Sequence, residues 1–444
     1  MTIQHPSNYT PFYTNEKTGP GKSRTPEIYC EGVALETIAG RVGTPAYVYS
    51  RASIEQAYRR LDRAFGSLPH TLCYAMKANS TLSVLRVLAR LGSSFDIVSG
   101  GELDRLRRLG ISGRRIVFSG VGKSREEIRE ALRYRGGRNH DQGIFLFNVE
   151  SAEEMDVLAE EARRHVARGG VRPGVSMRVN PDVLAGGHRH IATGARQHKF
   201  GVAWEEARRI YLQHRDSPAI TFRGISAHIG SQILSVEPFR RALLRLAAWA
   251  GELGRNGIAL ECIDIGGGLG IRYQNESAIE FSEYARTLGR IVKPLGCRLL
   301  VEPGRAIVGP AGVLLTRVRY VKETRGKRFV IVDAAMNDLI RPALYDGKHP
   351  ITKASGDSLP GGRLRTADVV GPVCETGDFL ARDLPLEEVQ AGDLLVVWAA
   401  GAYGFVESSN YNARPRAAEI LVEGSRFRVV RRRETRAEMV RGEI

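Results

Sequence analysis

A lysine within an apolar stretch is the first residue of this chain whose surroundings suggest chemistry. Lys77 follows the apolar residues Leu72 to Met76 and precedes a helical pattern that starts near Thr81. The sequence therefore predicts that it lies where a strand leaves its sheet. Burial lowers the pKa of a lysine, and the neutral amine can form a Schiff base with an aldehyde. The commoner alternative is a surface lysine whose side chain lies along apolar neighbours.

Further polar and glycine residues occur at the ends of other predicted strands. They are Asp96, Ser99, Gly100, Gly101, Arg178, Asn180, His228, Ser231, Gly266, Gly267, Gly268, Glu302, Pro303, Gly304 and Arg305. Backbone N–H groups of a glycine turn can approach a phosphate closely, and a serine can donate to it. An imidazole can lie against an aromatic cofactor ring, and a carboxylate can keep a pyridine nitrogen protonated. Together these residue types suit one aldehyde cofactor.

Each of these residues also has a structural interpretation. A glycine triplet can simply form a tight turn, and a histidine at a strand end is more often a hydrogen-bonded structural group. Ser231 can cap the helix that follows it. Glu302 can form an ion pair with Arg305. The local sequence leaves these alternatives open.

Strands alternating with helices must position these residues. Eight short apolar runs are separated by segments with helical periodicity. The runs are Leu72–Met76, Phe95–Val98, Ile116–Ser119, Ile144–Asn148, Val175–Asn180, Ile225–Ile229, Cys262–Ile265 and Leu299–Glu302. Near-continuous apolar strands indicate a parallel sheet, and eight such units predict an α/β fold with a (β/α)8 barrel. Active sites of such barrels lie at the carboxyl ends of the strands.

After Arg305 the pattern changes to alternating and β-branched segments, which predict a separate β domain. The early segment Ala46-Tyr47-Val48-Tyr49 also has the composition of a strand and is expected to join that domain, making it discontinuous. We therefore predict a lead-in with this strand over residues 1–47, the barrel over 48–305, and the C-terminal β domain over 306–444.

Composition excludes several classes of protein. The chain has 444 residues and a formal net charge of +16, but its basic residues are interleaved with glutamates, so we expect no nucleic-acid partner. No apolar run approaches the roughly 20 residues needed to cross a membrane, and no secretory signal is recognisable. The five cysteines lack paired spacing, which fits a reducing compartment. We expect a cytoplasmic enzyme without a metal site.

Several longer motifs carry a family resemblance. The segments around Lys77, His228, Gly266–Gly268 and Glu302 resemble those of the fold-type III pyridoxal-phosphate-dependent decarboxylases. Within this family, five further segments are similar to the branch that acts on diaminopimelate. They are Lys199-Phe200-Gly201 after Thr193-Gly194, Asn337 to Tyr345, Gly371 to Asp378, Ala400 to Gly404, and Ser409 to Asn412. The resemblance extends from about Tyr29 to Val422.

This resemblance implies roles for individual residues. It implies that Lys77 holds pyridoxal 5'-phosphate covalently, with His228 stacked on its ring and Asp96 nearby. The phosphate would be bound by Gly266, Gly267, Gly268, Ser231 and Tyr403, and the pyridine nitrogen by Glu302 within Glu302-Pro303-Gly304-Arg305. The substrate would be bound by Arg305, Arg341, Tyr345, Glu375 and Tyr403. Cys374 would return a proton to the substrate Cα, and Cys374 and Glu375 would reach the active site of the partner in a homodimer.

The implied reaction is decarboxylation of meso-2,6-diaminopimelate to L-lysine and carbon dioxide, the last step of lysine biosynthesis. A related decarboxylase acting on a carboxylated polyamine, ornithine or arginine is the alternative. Paired arginines suit a substrate with a distal carboxylate, which ornithine lacks. The chain departs from the family in carrying His188 and His190 before Thr193, where one histidine and an aromatic residue are usual.

Overall fold

The computed structural model describes residues 12–16, 26–137, 141–184, 199–354 and 364–444, which form two compact units. The barrel unit comprises residues Tyr58–Ile271 and Ser277–Ala306. The sheet unit comprises Met1–Ala57, Arg272–Glu276 and Ile307–Ile444. The first boundary thus lies after Ala57, whereas the sequence analysis placed it after residue 47.

Eight parallel strands close the barrel in chain order. From first to eighth they are His70–Ala75, Ser94–Ile97, Ile116–Phe118, Leu146–Val149, Gly174–Arg178, Thr221–Ser226, Cys262–Asp264 and Arg298–Val301. The eighth strand pairs with the first, with Leu300 opposite Thr71. The predicted (β/α)8 barrel is therefore confirmed, and each predicted run overlaps one strand.

Helices follow the barrel strands and face them with apolar residues. They are Leu82–Arg90, Gly100–Arg108, Arg125–Leu132, Ala152–Val166, Trp204–Gln213, Glu237–Arg255 and Phe281–Val292. In the first of these, Val84, Leu85 and Leu88 are buried while charged residues lie outside. Ser99, Ser124 and Ser151 each begin a helix by accepting a hydrogen bond from a backbone N–H. These caps begin the helices a few residues beyond the ends of the preceding strands.

The barrel interior is packed rather than open. Cys73, Val117, Leu146, Cys262 and Leu300 form a buried cluster contributed by the first, third, fourth, seventh and eighth strands. Burial raises the pKa of the Cys73 thiol, so that thiol stays protonated and acts as a small apolar side chain. The polar side chains that could take part in a reaction therefore lie at the rim of the barrel, outside this core.

The sheet unit is built on a long strand, Gly312–Thr324, which pairs with three neighbours. The described strands of this nine-stranded sheet are Ala46–Ser50, Gly312–Thr324, Lys327–Val332, Ile351–Lys353, Arg365–Val370, Phe379–Leu386, Leu394–Val397, Ala418–Glu423 and Arg426–Arg431. Ala46–Ser50 lies between Gly312–Thr324, to which it is antiparallel, and Ala418–Glu423, to which it is parallel. The predicted separate β domain, assembled from both ends of the chain, is confirmed.

The described part of the N-terminal segment forms a small antiparallel sheet. Phe12–Glu16 pairs antiparallel with Pro26–Cys30, which in turn pairs with Val33–Ala34. Phe12 is buried, and its ring meets Trp398 edge to face at 5.6 Å. Phe12 thus anchors the first of these strands, together with the buried Ile28, Cys30 and Val33 of the next two.

Five short helices complete the part of the sheet unit and its junctions that the structure describes. They are Leu35–Val42, Arg51–Ala64, Arg305–Val308, Arg341–Tyr345 and Arg436–Met439. Across all described ranges, helices suited by length and hydropathy to spanning a bilayer are absent.

Candidate active site

Lys77 lies at the rim of the barrel, in the 3-10 turn Met76–Ala78 that follows the first strand. Its Nζ donates to Oδ2 of Asp96, on the second strand, over 2.9 Å. The Asp96 side chain is fully buried, whereas a third of the Lys77 side chain is exposed. Within the described residues, Oδ1 of Asp96 has no hydrogen-bond partner. The lysine is therefore held by one buried carboxylate while its amine stays reachable.

Two more carboxyl groups, Asp264 and Glu302, end the seventh and eighth strands. Burial raises the pKa of both, and the negative charges of Asp264 and Asp96 raise that of Glu302 further. The two groups hydrogen-bond to each other, so one of them must carry a proton. Asn148 also donates to Asp264, over 3.1 Å. The buried carboxyl group of Glu302 can thus hold a proton at the barrel rim.

His228 follows the sixth strand and is neutral. Burial, helped by the positive charges of Lys77 and Arg178, lowers its pKa well below the usual range. Its Nδ1 accepts a hydrogen bond from the backbone N–H of Gly267 over 3.0 Å, which a protonated imidazole could not do. The imidazole is therefore fixed in orientation by the glycine turn.

The glycine turn after the seventh strand requires glycine. Gly266 and Gly268 have φ angles of +72° and +101°, which side chains other than glycine rarely adopt. A Cβ on Gly267 would collide with the carbonyl oxygen of Glu302. The N–H of Glu302 donates to the Gly266 carbonyl over 2.9 Å. The turn is therefore pressed against the strand that carries Glu302, and its backbone can approach an anion closely.

The segment Glu302 to Arg305 packs against the turn of Lys77. The N–H of Ala75 donates to the carbonyl of Pro303 over 3.1 Å, and a Cβ on Gly304 would lie 2.9 Å from that of Ala78. Nη2 of Arg305 donates to the Ser231 hydroxyl over 3.2 Å. The exits of strands one, six and eight are thereby tied together.

A pocket of about 200 Å³ lies over these groups. Its lining residues are Lys77, Val98, Ser119, Gly120, Asn148, Arg178, Phe200, Ser226, Ala227, His228, Asp264 and Glu302. It brings together the predicted residues Lys77, His228 and Glu302. Sequence reasoning selected neither Ser119 nor Asn148, although both lie at strand ends, where the same rule would have found them.

A chain of buried charges supports one wall of this pocket and was also missed. The buried Lys123 ammonium donates to the carbonyls of Gly120 and Asn148 and to Glu154, each over 2.7 Å. Glu154 accepts from the N–H of Glu150, whose carboxylate pairs with Arg178 over 2.8 Å. Because lysine has three donors, Lys123 is fully satisfied. These groups fix the exits of the third, fourth and fifth strands.

The remaining predicted residues lie in the sheet unit. Arg341 and Tyr345 bound a short helix, and Tyr403 has a φ angle of +55°. Cys374 is exposed, and its backbone N–H donates to Oδ1 of Asn412 over 2.8 Å.

Glu375 follows Cys374 in the same loop of the sheet unit. Its carboxylate accepts from the hydroxyl of Tyr411, which raises the pKa of that tyrosine. The predicted residues His188, His190, Thr193 and Gly194 lie outside the described residues.

Comparison with protein families agrees with this geometry. Residues 51–309 match the family described as pyridoxal-dependent decarboxylase, pyridoxal binding domain. This range contains all eight barrel strands and the pocket. The cofactor of this chain is therefore pyridoxal phosphate.

Individual relatives match both units. A diaminopimelate decarboxylase of Pseudomonas fluorescens is 51% identical over 94% of this chain and 97% of its own length. One from Pseudomonas aeruginosa is 49% identical over 95% of this chain and 97% of its own length. A crystal structure of diaminopimelate decarboxylase from Helicobacter pylori, complexed with L-lysine, is 39% identical with a TM-score of 0.85, covering 92% of this chain and 98% of that one. The chain therefore belongs to the diaminopimelate decarboxylases, a family of pyridoxal-phosphate-dependent carboxy-lyases.

Proposed function

We propose that this chain decarboxylates meso-2,6-diaminopimelate to L-lysine and carbon dioxide, the last step of lysine biosynthesis. The observation that carries the proposal is the 51% identity that extends through both units, over 419 residues. A relative that shared only the barrel would support the cofactor but leave the substrate open. The Helicobacter pylori relative was solved with L-lysine, the product of this reaction.

The residues at the barrel rim fit pyridoxal phosphate. The turn Gly266–Gly268 leaves no room for a Cβ at Gly267 and exposes backbone suited to an anion. Lys77 has an amine that is reachable for the aldehyde, and Glu302 has a raised pKa suited to sharing a proton with a ring nitrogen. We assign Ser231 and Tyr403 to the phosphate as well. When bound, the cofactor acts as an electron sink for the carbanion left by decarboxylation.

The chain's own residues then have distinct tasks. Asp96 orients the Lys77 amine through its 2.9 Å hydrogen bond. Glu302 holds a proton at its carboxyl group, within reach of Asp264. His228 stays neutral and presents a flat surface whose orientation is set by Gly267. None of these residues recognises the substrate's far end.

Recognition of that far end requires charges of both signs. The distal carboxylate of diaminopimelate needs guanidinium donors, which we assign to Arg305 and Arg341, with Tyr345 beside them. The distal ammonium needs a carboxylate, which we assign to Glu375. A substrate without the distal carboxylate would leave an arginine uncompensated, which is costly in a closed site.

Cys374 is assigned as the group that returns a proton to the substrate Cα. Its thiol is exposed, whereas those of Cys30, Cys73, Cys262 and Cys297 are buried. We propose that Cys374 and Glu375 serve the site of the partner subunit in a homodimer. The short turn that carries them is stabilised by Asp378, which accepts from the N–H of Val373 over 2.7 Å.

Substrate identity is tested by carbon dioxide release from the purified enzyme. The substrates are the diaminopimelate isomers, lysine, ornithine, arginine and carboxynorspermidine. We expect kcat/KM for meso-diaminopimelate to exceed that for ornithine by a factor of roughly 10⁴. A site built to pair with a polar group of its substrate strongly rejects an analogue that lacks this group. Preference for ornithine or carboxynorspermidine would replace the proposed function by the corresponding alternative.

The shared site is tested by mixing two inactive variants, Lys77→Ala and Cys374→Ala. Random reassortment of subunits gives heterodimers with one intact site in two, so activity should return to about a quarter of wild type. Activity that stays at the level of the separate variants would show that each subunit uses its own cysteine.

A further inference from the structure

Arg341 lies in a buried cluster of the sheet unit. Only 6% of the residue is exposed, although its guanidinium is charged at all ordinary pH values. Its Nη1 contacts Nε2 of His349 over 2.6 Å, and its Cζ lies 4.9 Å from the centre of the Tyr273 ring. His349 thus contacts one edge of the guanidinium, and Tyr273 contacts one face.

The hydrogen bonds of His349 determine its tautomer. Its Nδ1 lies 2.8 Å from the backbone carbonyl of Trp398, which can only accept, so Nδ1 carries the proton. Nε2 is then left with a lone pair, which accepts from Arg341. His349 is 3% exposed, and Tyr273 meets it edge to face at 5.2 Å. The imidazole is therefore held as a neutral acceptor between a carbonyl and a guanidinium.

His349 and Tyr273 hold Arg341 by geometry. The imidazole accepts from one edge of the guanidinium, and the phenol ring lies against its face. Together they fix the guanidinium plane. The arginine is therefore oriented before a carboxylate binds to it.

We propose that His349, assisted by Tyr273, is a positioning residue that holds Arg341 for the distal carboxylate of the substrate and so sets the preference for that carboxylate. The inference rests on the proposed function, because Arg341 must contact the substrate for its orientation to matter. L-lysine keeps the carboxylate that Arg341 binds, so product binding depends on His349 to the same extent.

Two substitutions at position 349 separate the hydrogen bond from the shape of the ring. His349→Phe keeps a ring beside Tyr273 but removes the acceptor, whereas His349→Gln keeps an acceptor near the position of Nε2. We expect His349→Phe to raise KM for meso-diaminopimelate and the inhibition constant of L-lysine by about tenfold each, since a hydrogen bond to a charged group is lost. His349→Gln should stay within about threefold of wild type, and kcat and cofactor absorbance should change little in both.

Tyr273→Leu gives a smaller effect in the same direction. It removes the ring face from the guanidinium but leaves His349 in place, so we expect KM to rise about threefold. His214→Phe, in the barrel unit, is the matched control and should leave both constants unchanged.

Arg341→Met distinguishes failure of the inference from failure of the proposed function. If Arg341→Met raises KM strongly while His349→Phe does not, the positioning role is wrong and the proposed function stands. If His349→Gln is as impaired as His349→Phe, or if kcat and cofactor absorbance fall together with affinity, the histidine acts only on folding and the inference is overturned. If Arg341→Met leaves KM unchanged, the proposed role of Arg341 is wrong and the inference fails with it.

Discussion

Two sites, one in each unit, hold a positive charge with different neighbours. At the barrel rim Lys77 lies against Asp96 at 2.9 Å, and Arg178 lies against Glu150 at 2.8 Å. In the sheet unit Arg341 rests against a neutral imidazole and an aromatic ring. A carboxylate beside a cation fixes geometry and shifts pKa values, whereas an imidazole and an aromatic ring orient a guanidinium without adding negative charge themselves.

Under the proposed function, this difference corresponds to a division of work between reaction and recognition. The barrel's carboxyl groups raise and lower one another's pKa values, which suits proton handling next to a cofactor. The cluster of Arg341, His349 and Tyr273 has a single fixed charge and suits selection of a substrate. Substitutions in the two units should therefore fail in different ways.

The largest effect is expected from Lys77→Ala. The amine that binds the cofactor is lost, so visible absorbance of the bound cofactor should disappear and kcat should fall by about a thousandfold or more. Absorbance spectra and carbon dioxide release measure the two effects.

Lys293→Ala provides the control, because Lys293 lies in the 3-10 turn that directly follows the barrel helix Phe281–Val292 in the chain. It should keep normal absorbance and turnover. An unchanged spectrum in Lys77→Ala would refute the cofactor attachment.

Cys374→Ala should impair the reaction without impairing the binding of substrate or cofactor. Turnover should fall by roughly 100-fold to 10,000-fold, as for loss of a general acid, while cofactor absorbance and KM stay near wild type. Cys297→Ala, which removes a buried thiol, should leave turnover unchanged. Near-normal turnover in Cys374→Ala would mean that another group returns the proton.

Lys123→Met breaks a matched charge at the barrel rim. It leaves the buried Glu154 carboxylate without its cation, so the free energy of unfolding should fall by about 3–5 kcal/mol. Urea denaturation measures this loss, and the double variant Lys123→Met/Glu154→Met should recover much of it. If the single variant is as stable as wild type, the buried pair does not hold the strand exits.

The smallest effect on the cofactor is a change in pH dependence in Arg178→Met, measured where the variant is folded, because it also leaves the buried Glu150 carboxylate without its cation. Arg178 helps to lower the pKa of His228, and removing its charge leaves Glu150 uncompensated, so the pKa of His228 should rise. Only the neutral imidazole accepts from Gly267, so cofactor retention should be lost at a higher pH than in wild type as the solution is acidified. Titration of cofactor absorbance measures this shift.

Arg290→Met, on the barrel surface, is the control for this titration and should follow the wild-type curve. A curve for Arg178→Met that coincides with the wild-type curve would show that His228 does not sense this charge.

The sequence predicted the barrel well because each strand is a continuous apolar run with a polar or glycine exit. It missed the strands Ile351–Lys353, Arg365–Val370 and Phe379–Leu386. The last of these contains Arg382, Asp383 and Pro385. Among the described strands it lies at the edge of its sheet, where charge and proline are tolerated. A local sequence pattern therefore identifies strands that are buried on both faces more readily than strands at the edge of a sheet.

Residues that act through distant partners escaped prediction for a related reason. His349 stands in the stretch Gly347-Lys348-His349, which has no helical or strand periodicity. Its proposed role depends on contacts with Tyr273 and Trp398, which are far away in the chain. Lys123, between Gly122 and Ser124, likewise has the sequence context of an exposed loop although it is buried.

The position of Ala46–Ser50 in its sheet has a consequence for synthesis of the chain. This strand leaves the ribosome early, but its neighbours Gly312–Thr324 and Ala418–Glu423 are made only after the entire barrel. Apart from the closing pair of the first and eighth strands, each barrel strand pairs with the next one in the chain, so most of the barrel can assemble while translation continues. Translation must therefore be nearly complete before the early strand is paired on both sides, and a chain terminated before Ala418 would release it with one edge open.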